Sequence, residues 1–215
     1  MNQTANPNPP SRPRNFEMLR SLKPPDFLTL GNAACGTLAI FMCLNYLDTA
    51  RTHYIWIAFL AFPFALAFDV LDGYLARRFH IGSPWGTDLD SLSDVISFGV
   101  APAVVGYTLG LRGGWDVVVL IYFVSCGIGR LARYNVTYAE MAHESGKVKY
   151  YQGTPIPTSV VLVGILALAF QLGHTQELLW LGQFRMLGAT GHPLSIIYLA
   201  SGSAMISAKL RIPKL

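Results

Sequence analysis

The 215-residue chain is 52% hydrophobic and only 13% charged, with a mean hydropathy of +0.39. A soluble domain carries about 25% charged residues, so this composition excludes an ordinary water-soluble globule, and segments this apolar exclude disorder for the body of the chain. A net charge of +4 would point to nucleic acid in a soluble protein; here the basic residues lie between apolar segments, which points to membrane topology and anionic lipid headgroups, with no nucleic-acid partner.

In chain order, residues 1–15 are rich in Pro and Asn and read as a flexible tail. Residues 16–23 (FEMLRSLK) form a short amphipathic stretch suited to the membrane surface. Pro24-Pro25 ends it, and Asp26 is placed to cap the first apolar helix. Residues 1–26 thus form a tail and interfacial helix, without the charged start and apolar core of a cleavable signal peptide. Residues 27–215 form one transmembrane domain.

Six apolar segments come next, at 27–47, 54–78, 88–111, 115–136, 156–173 and 192–210. At roughly 20 residues per span, they predict an all-α polytopic integral membrane protein with about six transmembrane helices. The fifth segment fades at its end. Residues 176–190 either extend it or form an interfacial loop with Trp180 near the headgroups. Cys35, Cys43 and Cys126 all lie inside apolar segments in no CxxC pattern, so a disulfide or zinc framework is not expected.

Lys and Arg alternate in density between the two sides. The side of the N-terminus holds 13: Arg12, Arg14, Arg20, Lys23, Arg77, Arg78, Arg130, Arg133, Lys147, Lys149, Lys209, Arg211 and Lys214. The other side holds 3: Arg51, Arg112 and Arg185. The asymmetry places both termini, and the loop after the second helix, in the cytoplasm. The Asn-x-Thr sequons at Asn2 and Asn135 then fall on the cytoplasmic side and read as accidental.

Five carboxylates fall within 26 positions: Asp69, Asp72, Asp88, Asp90 and Asp94. Ionisable groups at membrane depth are costly and mark function by default. At about 100° per residue, Asp69, Asp72, Gly73 and Ala76 share one arc of the second helix. Asp90 and Asp94 lie one turn apart on the third. Two such faces turned together would gather four carboxylates whose repulsion requires cations. With no His or Cys in the window, all-oxygen ligation selects Mg²⁺ or Mn²⁺, two ions being plausible for four carboxylates. Gly73 and Ala76 leave the helix face bare for a ligand. Arg77 can bond a phosphoryl oxygen, and Gly86 opens the next helix. The combination suits a pyrophosphate held at headgroup level.

The run Asp69-Val-Leu-Asp72-Gly73-Tyr-Leu-Ala76-Arg77, then Gly86, Asp90 and Asp94, resembles the signature of the CDP-alcohol phosphatidyltransferase family without a departure. Eight fixed positions match by chance on the order of 10⁻¹⁰ per starting point, so accident is a poor explanation. The resemblance covers residues 27–210. It implies a homodimer with metal-dependent chemistry in a polar cavity open to the cytoplasm; a cytoplasm-facing site fits either a bacterial plasma membrane or an endoplasmic reticulum. It implies metal ligation by Asp69, Asp72, Asp90 and Asp94, with Asp94 also the catalytic base for an incoming hydroxyl. It places Asn32, Asp69, Gly73, Ala76, Arg77 and Gly86 at the CDP site. For Asn32 a helix–helix hydrogen bond is the competing reading.

Within the family, the stretches Pro24–Asn32, Ser93–Pro102, Gly129–Asn135 and Gly153–Pro157 resemble the serine-accepting branch. That branch joins L-serine to the phosphatidyl group of CDP-diacylglycerol. Arg130 and Arg133 share a helix face and suit the serine carboxylate bidentately, or else serve as positive-inside anchors. Thr154 and Pro155, in the rigid Thr-Pro-Ile-Pro run, could set the exit of a loop in which Lys147, Lys149 and Tyr151 could close over the site, or simply form the loop-to-helix junction. Inositol or glycerol 3-phosphate as acceptor remains an alternative. So does, from another class, a divalent-cation transporter, although an adjacent arginine disfavours a cation path. Finally, Gly106, Gly110 and Gly114 read as a small-residue ladder for close packing, either between protomers or within the chain.

Overall fold

The computed structural model describes residues 22–79, 83–143, 150–175, 179–180, 182–207 and 211–213. The tail and most of the expected interfacial helix, together with Lys147, Lys149, Lys209 and Lys214, lie outside the described residues. Among the described residues, six apolar helices succeed one another: α1 (Pro24–Thr49), α2 (Thr52–Phe79), α3 (Gly86–Leu109), α4 (Gly114–His143), α5 (Ile156–Gln171) and α6 (Pro193–Ile206). Short strands pair β1 (Tyr150–Gln152) with β4 (Arg211–Pro213), and β2 (Phe184–Met186) with β3 (Ala189–Gly191), both antiparallel.

α1 starts three residues before the expected boundary. Pro24 occupies its first turn, where a missing N–H is harmless. Asp26 therefore sits one turn position inside the helix; its carboxylate accepts the Lys23 backbone N–H at 2.7 Å, satisfying an orphan donor from within rather than from the cap position. Ala50, in the left-handed region at φ 53°, and Arg51 then reverse the chain into α2.

α1 to α4 are long and apolar enough to cross a membrane. At 1.5 Å per residue the 24-residue α3 spans about 36 Å against a hydrocarbon core of about 30 Å. Their outward side chains, among them Phe41, Leu60, Phe64, Val118 and Ile121, are exposed as lipid contact demands, while Ile55, Phe62, Phe98, Phe123, Leu166 and Tyr198 fill the interior. α1 and α3 cross closely at Gly36: a Cβ there would lie 2.6 Å from Ser97 Cα, so only glycine permits the approach.

α3 is not regular throughout. Val95–Val100 forms a π-helical turn immediately after Asp94. Pro102 lies just beyond it and has no N–H to give to the preceding turn, so a widened turn lets the helix continue. Ser97, in that turn, donates from Oγ to the Asn32 carbonyl at 2.8 Å, and Tyr198 of α6 donates to the Pro102 carbonyl at 2.7 Å.

α5 and α6 are shorter, about 24 and 21 Å long, and their placement matters more than their length. A Cβ on Gly127, near the middle of α4, would lie 2.9 Å from Ile156 Cδ1 at the start of α5 and 4.0 Å from Met205 Sδ at the end of α6. Both helices therefore stop near mid-depth on the side of the aspartates, and leave that half of the α3–α4 pair uncovered by them. At the other end, His192 before α6 bonds Asp116 at the start of α4, so all these elements meet on the far side.

Two expectations change and one open alternative is decided. The sixth segment ends at Ile206 rather than 210, and residues 211–213 return as β4 against β1, the strand containing Tyr151. The 176–190 region does not extend α5; its described part is the β2–β3 hairpin, with Leu179 buried and Trp180 5.8 Å from the His174 ring. The glycine ladder does not form on one helix, because α3 ends at Leu109, Gly110 turns the chain at φ 132° and Gly114 opens α4. Gly106 instead makes room for Tyr198, whose Oη would lie 2.8 Å from a Cβ there; this is packing within the chain.

Candidate active site

The last turns of α2 and the first turns of α3 bring three carboxylates together. Asp69, Asp72 and Asp90 each present an oxygen within 4.8 Å of the others. Asp72 is buried, and Asp69 and Asp90 are half-buried. Helical periodicity produces the arrangement: Asp69 and Asp72 are three apart on α2, and Asp90 lies one turn into α3 as the chain returns. Asp88, also on α3, is exposed and outside the group.

Asp94 is one turn deeper and only 6% exposed. It lies outside the threesome, within electrostatic reach of Asp69, Asp72 and Asp90. Asn32 Nδ2 donates to its Oδ1 at 3.2 Å. Asn32 is wholly buried, so the helix–helix hydrogen bond expected as its competing role is made. Its own Oδ1 is buried with no partner among the described residues, which leaves an acceptor beside the carboxylates unused by the protein. Buried acceptors without partners are uncommon.

Arg77 is exposed at the end of α2 and folds back over its own helix. A Cβ on Gly73 would lie 3.4 Å from one guanidinium nitrogen, so the cation lies over the bare helix face at Gly73, beside Asp72. Ala76 is half-buried one turn on. Gly86 begins α3, where a Cβ would meet Ser83 Oγ at 3.4 Å and Asp26 Oδ1 at 3.6 Å. Ser83 donates to that same Asp26 oxygen at 2.9 Å, so the start of α1 latches the loop that delivers Gly86.

Two supporting residues carry no motif of their own. Thr29 donates from Oγ1 to Asp72 Oδ2 at 2.5 Å, and Ser91 and Asn135 exchange hydrogen bonds of 3.0 and 3.1 Å between α3 and α4. A threonine one turn before Asn32 on the same face of α1 was the available signal for the first; nothing in the spacing of Ser91 and Asn135 announces the second. Asn135 is thus engaged inside the bundle.

Arg130 and Arg133 are half-buried in the later turns of α4. Arg130 lies 6.0 Å from the Tyr134 ring centre, and Arg133 Nη2 is buried without a hydrogen bond among the described residues. Thr154 comes after Gly153, whose φ of +77° and contact with the Met205 carbonyl exclude a side chain. The Thr154 backbone N–H bonds the Ala204 carbonyl at 3.2 Å, while its Oγ1, like Ser159 Oγ, is buried and unpartnered among the described residues. Pro155 is exposed. Ser159 was not anticipated, because a serine in an apolar helix carries no signal until its burial is known.

The donor set is all oxygen and carries several negative charges in a small volume. Such a set fits a hard divalent cation; three carboxylates so close are poorly compatible with full ionisation unless a cation joins them. With a bare helix face and a guanidinium alongside, the arrangement can hold a diphosphate near a buried carboxylate. Because α5 and α6 stop at mid-depth on this side, their ends do not cover it.

Comparison with known proteins agrees. Residues 22–190 match the CDP-alcohol phosphatidyltransferase family, whose members are generally metal-dependent. The chain is 38% identical over 203 residues to the CDP-diacylglycerol--serine O-phosphatidyltransferase of Saccharomyces cerevisiae, covering 93% of this chain and 74% of that protein. It is 36% identical over 146 residues to the Mycobacterium tuberculosis protein of the same name, covering 66% of this chain and about half (50%) of that relative. It is 37% identical over 143 residues to an archaetidylserine synthase of Methanothermobacter thermautotrophicus, covering 65% and 55%.

Proposed function

The chain belongs to the CDP-alcohol phosphatidyltransferase family, and from that premise we propose that it transfers the phosphatidyl group of CDP-diacylglycerol to the hydroxyl of L-serine, giving phosphatidylserine and CMP. The observation that carries the reading is the meeting of Asp69, Asp72 and Asp90 within 4.8 Å beside Arg77. The choice of serine is supported by the relatives, whose names specify serine although the lipid differs between phosphatidyl and archaetidyl.

Asp69, Asp72 and Asp90 would hold Mg²⁺ or Mn²⁺, with Asp94 completing a two-ion site. Cations held there would supply charge neutralisation on the diphosphate and on the departing phosphate oxygen. Arg77 bonds a phosphoryl oxygen. Gly73, Ala76 and Gly86 leave room for the nucleotide, and the free acceptor of Asn32 is available to it. The serine oxygen attacks the phosphorus that carries diacylglycerol, in line with the bond to CMP. The new P–O bond forms as the old one breaks, and the hydroxyl proton passes to Asp94. An ordinary carboxylate is a weak base for an alcohol, which is tolerable where the transition state is loose and the proton leaves late. Holding the hydroxyl in place supplies much of the rate.

Arg130 and Arg133 suit the serine carboxylate, with Thr154, Pro155 and Ser159 bounding the acceptor. The unpartnered polar atoms of Arg133, Thr154 and Ser159 support this, since buried groups of that kind seek a ligand. The site faces the cytoplasm on the strength of the 13-to-3 distribution of basic residues. Assembly as a homodimer belongs to the same reading and rests on the family resemblance.

The test is to supply purified protein with CDP-diacylglycerol, Mn²⁺ or Mg²⁺, and one acceptor at a time. Serine is expected to drive CMP release and to yield phosphatidylserine. Release driven only by inositol or glycerol 3-phosphate would reassign the acceptor. Cation uptake into liposomes without any CMP release would reject the transferase reading.

A further inference from the structure

The far face of the molecule carries an element that the chemistry does not use. β2 and β3 form a tight hairpin whose turn is Leu187-Gly188, and both residues have positive φ, 53° and 80°. Such turns favour Asn or Asp before Gly, because a branched apolar side chain is strained in the left-handed region. This hairpin places leucine there, and Leu187 is 88% exposed, with Phe184 and Met186 exposed beside it. A strained, exposed apolar residue at the tip of an ordered turn calls for a partner outside the chain.

The base of the hairpin is firmly held. Trp115 Nε1 donates to the Met186 carbonyl at 2.9 Å. The buried Asp116 accepts from the Gly113 and His192 backbone N–H groups at 2.9 and 2.8 Å, and lies 2.6 Å from His192 Nδ1. The Thr190 carbonyl approaches Gly113 so closely that no side chain fits there. Strand alternation places Phe184 and Met186 on one face and Arg185 on the other.

Position identifies the partner. α3 runs from the aspartates at Gly86 to Leu109, a bilayer's thickness away, and the hairpin docks on Gly113 and Trp115 just beyond. Trp115, Val118 and Ile121 recur every third residue on α4, and the last two are openly exposed as lipid-facing residues are. The hairpin tip continues this surface at the level where aromatic and basic side chains mark the membrane–water boundary; Trp115, Trp180 and Arg185 supply them here.

We propose that the Phe184–Gly191 hairpin is an interfacial lipid anchor. Met186 and Leu187 enter the acyl boundary of the leaflet opposite the aspartate cluster, and Arg185 stays at its headgroups. Lipid contact offsets the strain of leucine in the turn.

Two measurements on the full chain in phosphatidylcholine bilayers test this. The first labels Leu187→Cys and Arg185→Cys with an environment-sensitive fluorophore; the native cysteines are buried or half-buried, and the unsubstituted chain gives the background. Lipids carrying a nitroxide on the upper acyl chain should quench the label at 187 about threefold more than at 185, and aqueous iodide should show the reverse order. Strong iodide quenching at 187 would overturn the proposal, and so would protection from both quenchers, which would place a second copy of the chain there. The second measurement uses Leu187→Asn without a label. Asparagine relieves the turn, so a solvent-exposed tip gains Tm in nanodiscs, whereas a lipid-embedded tip loses it. A lower Tm is expected, and a raised or unchanged Tm would overturn the anchor.

Discussion

Thr29 Oγ1 lies 2.5 Å from Oδ2 of Asp72, a hydrogen bond between residues 43 apart in the chain. It ties the first transmembrane helix to the second at the carboxylate cluster and holds the Asp72 carboxylate in place beside Asp69 and Asp90. Hydrogen bonds to charged groups contribute about 1.5–3 kcal/mol. Thr29→Val is therefore expected to lower phosphatidylserine formation by roughly ten- to a hundredfold, and Thr29→Ser to retain most of it. Equal rates for the two variants would show that the hydroxyl does not position Asp72.

Asp94 is buried and held by Asn32. Asp94→Asn keeps the size and an oxygen for the Asn32 donor but cannot accept a proton. General-base contributions run to about 10²–10⁴-fold, so turnover should fall by at least that range while thermal stability and helix content stay near those of the unsubstituted chain. An active Asp94→Asn protein would remove the proposed base.

The contact between Gly36 and Ser97 sets the distance between α1 and α3, and with it the reach of Asn32 to Asp94. Gly36→Ala brings a Cβ against backbone as well as side chain, an overpacking that costs about 1–3 kcal/mol. A clear fall in melting temperature in detergent is expected, together with reduced turnover. An unchanged melting temperature would mean the helices can separate freely.

Asp116 serves only the far side. Asp116→Ala would leave the Gly113 and His192 N–H groups unpartnered in a buried place, at about 1–3 kcal/mol each. The predicted result is a loss of stability with little change in KM for either substrate, measured below the transition temperature. A selective change in KM with stability intact would contradict a purely structural role.

The membrane class and the helix order were legible because lipid imposes long apolar runs and basic residues punctuate them: the segment expected at 54–78 is the helix Thr52–Phe79. The clustering of Asp69, Asp72 and Asp90 was legible because each helix places residues three or four apart on one face, and the chain turns back between them. What remained hidden depends on neighbours distant in sequence. Thr29 and Ser91 acquire meaning only once α1 and α4 lie beside the aspartates. The π turn at Val95–Val100 is where Ser97 meets α1 at Gly36, an approach that no local pattern records. The Phe184–Gly191 hairpin is three residues per strand with Leu-Gly at the turn, too short for alternation to register and lacking the usual turn residues. The stop of α5 and α6 at mid-depth is set by contacts with Gly127 and Gly99, which hydropathy does not encode.

The central claim is that Asp69, Asp72 and Asp90 act together as the seat of a divalent cation. The most direct test is the rate of phosphatidylserine formation against free Mn²⁺ for the unsubstituted chain and for Asp90→Asn, after chelator treatment. Removing one of three closely placed carboxylates should shift the half-activating Mn²⁺ concentration upward by about tenfold or more, the equivalent of at least about 1.4 kcal/mol, or abolish activity altogether. Full activity in chelator, or the same half-activating concentration for both proteins, would contradict the account.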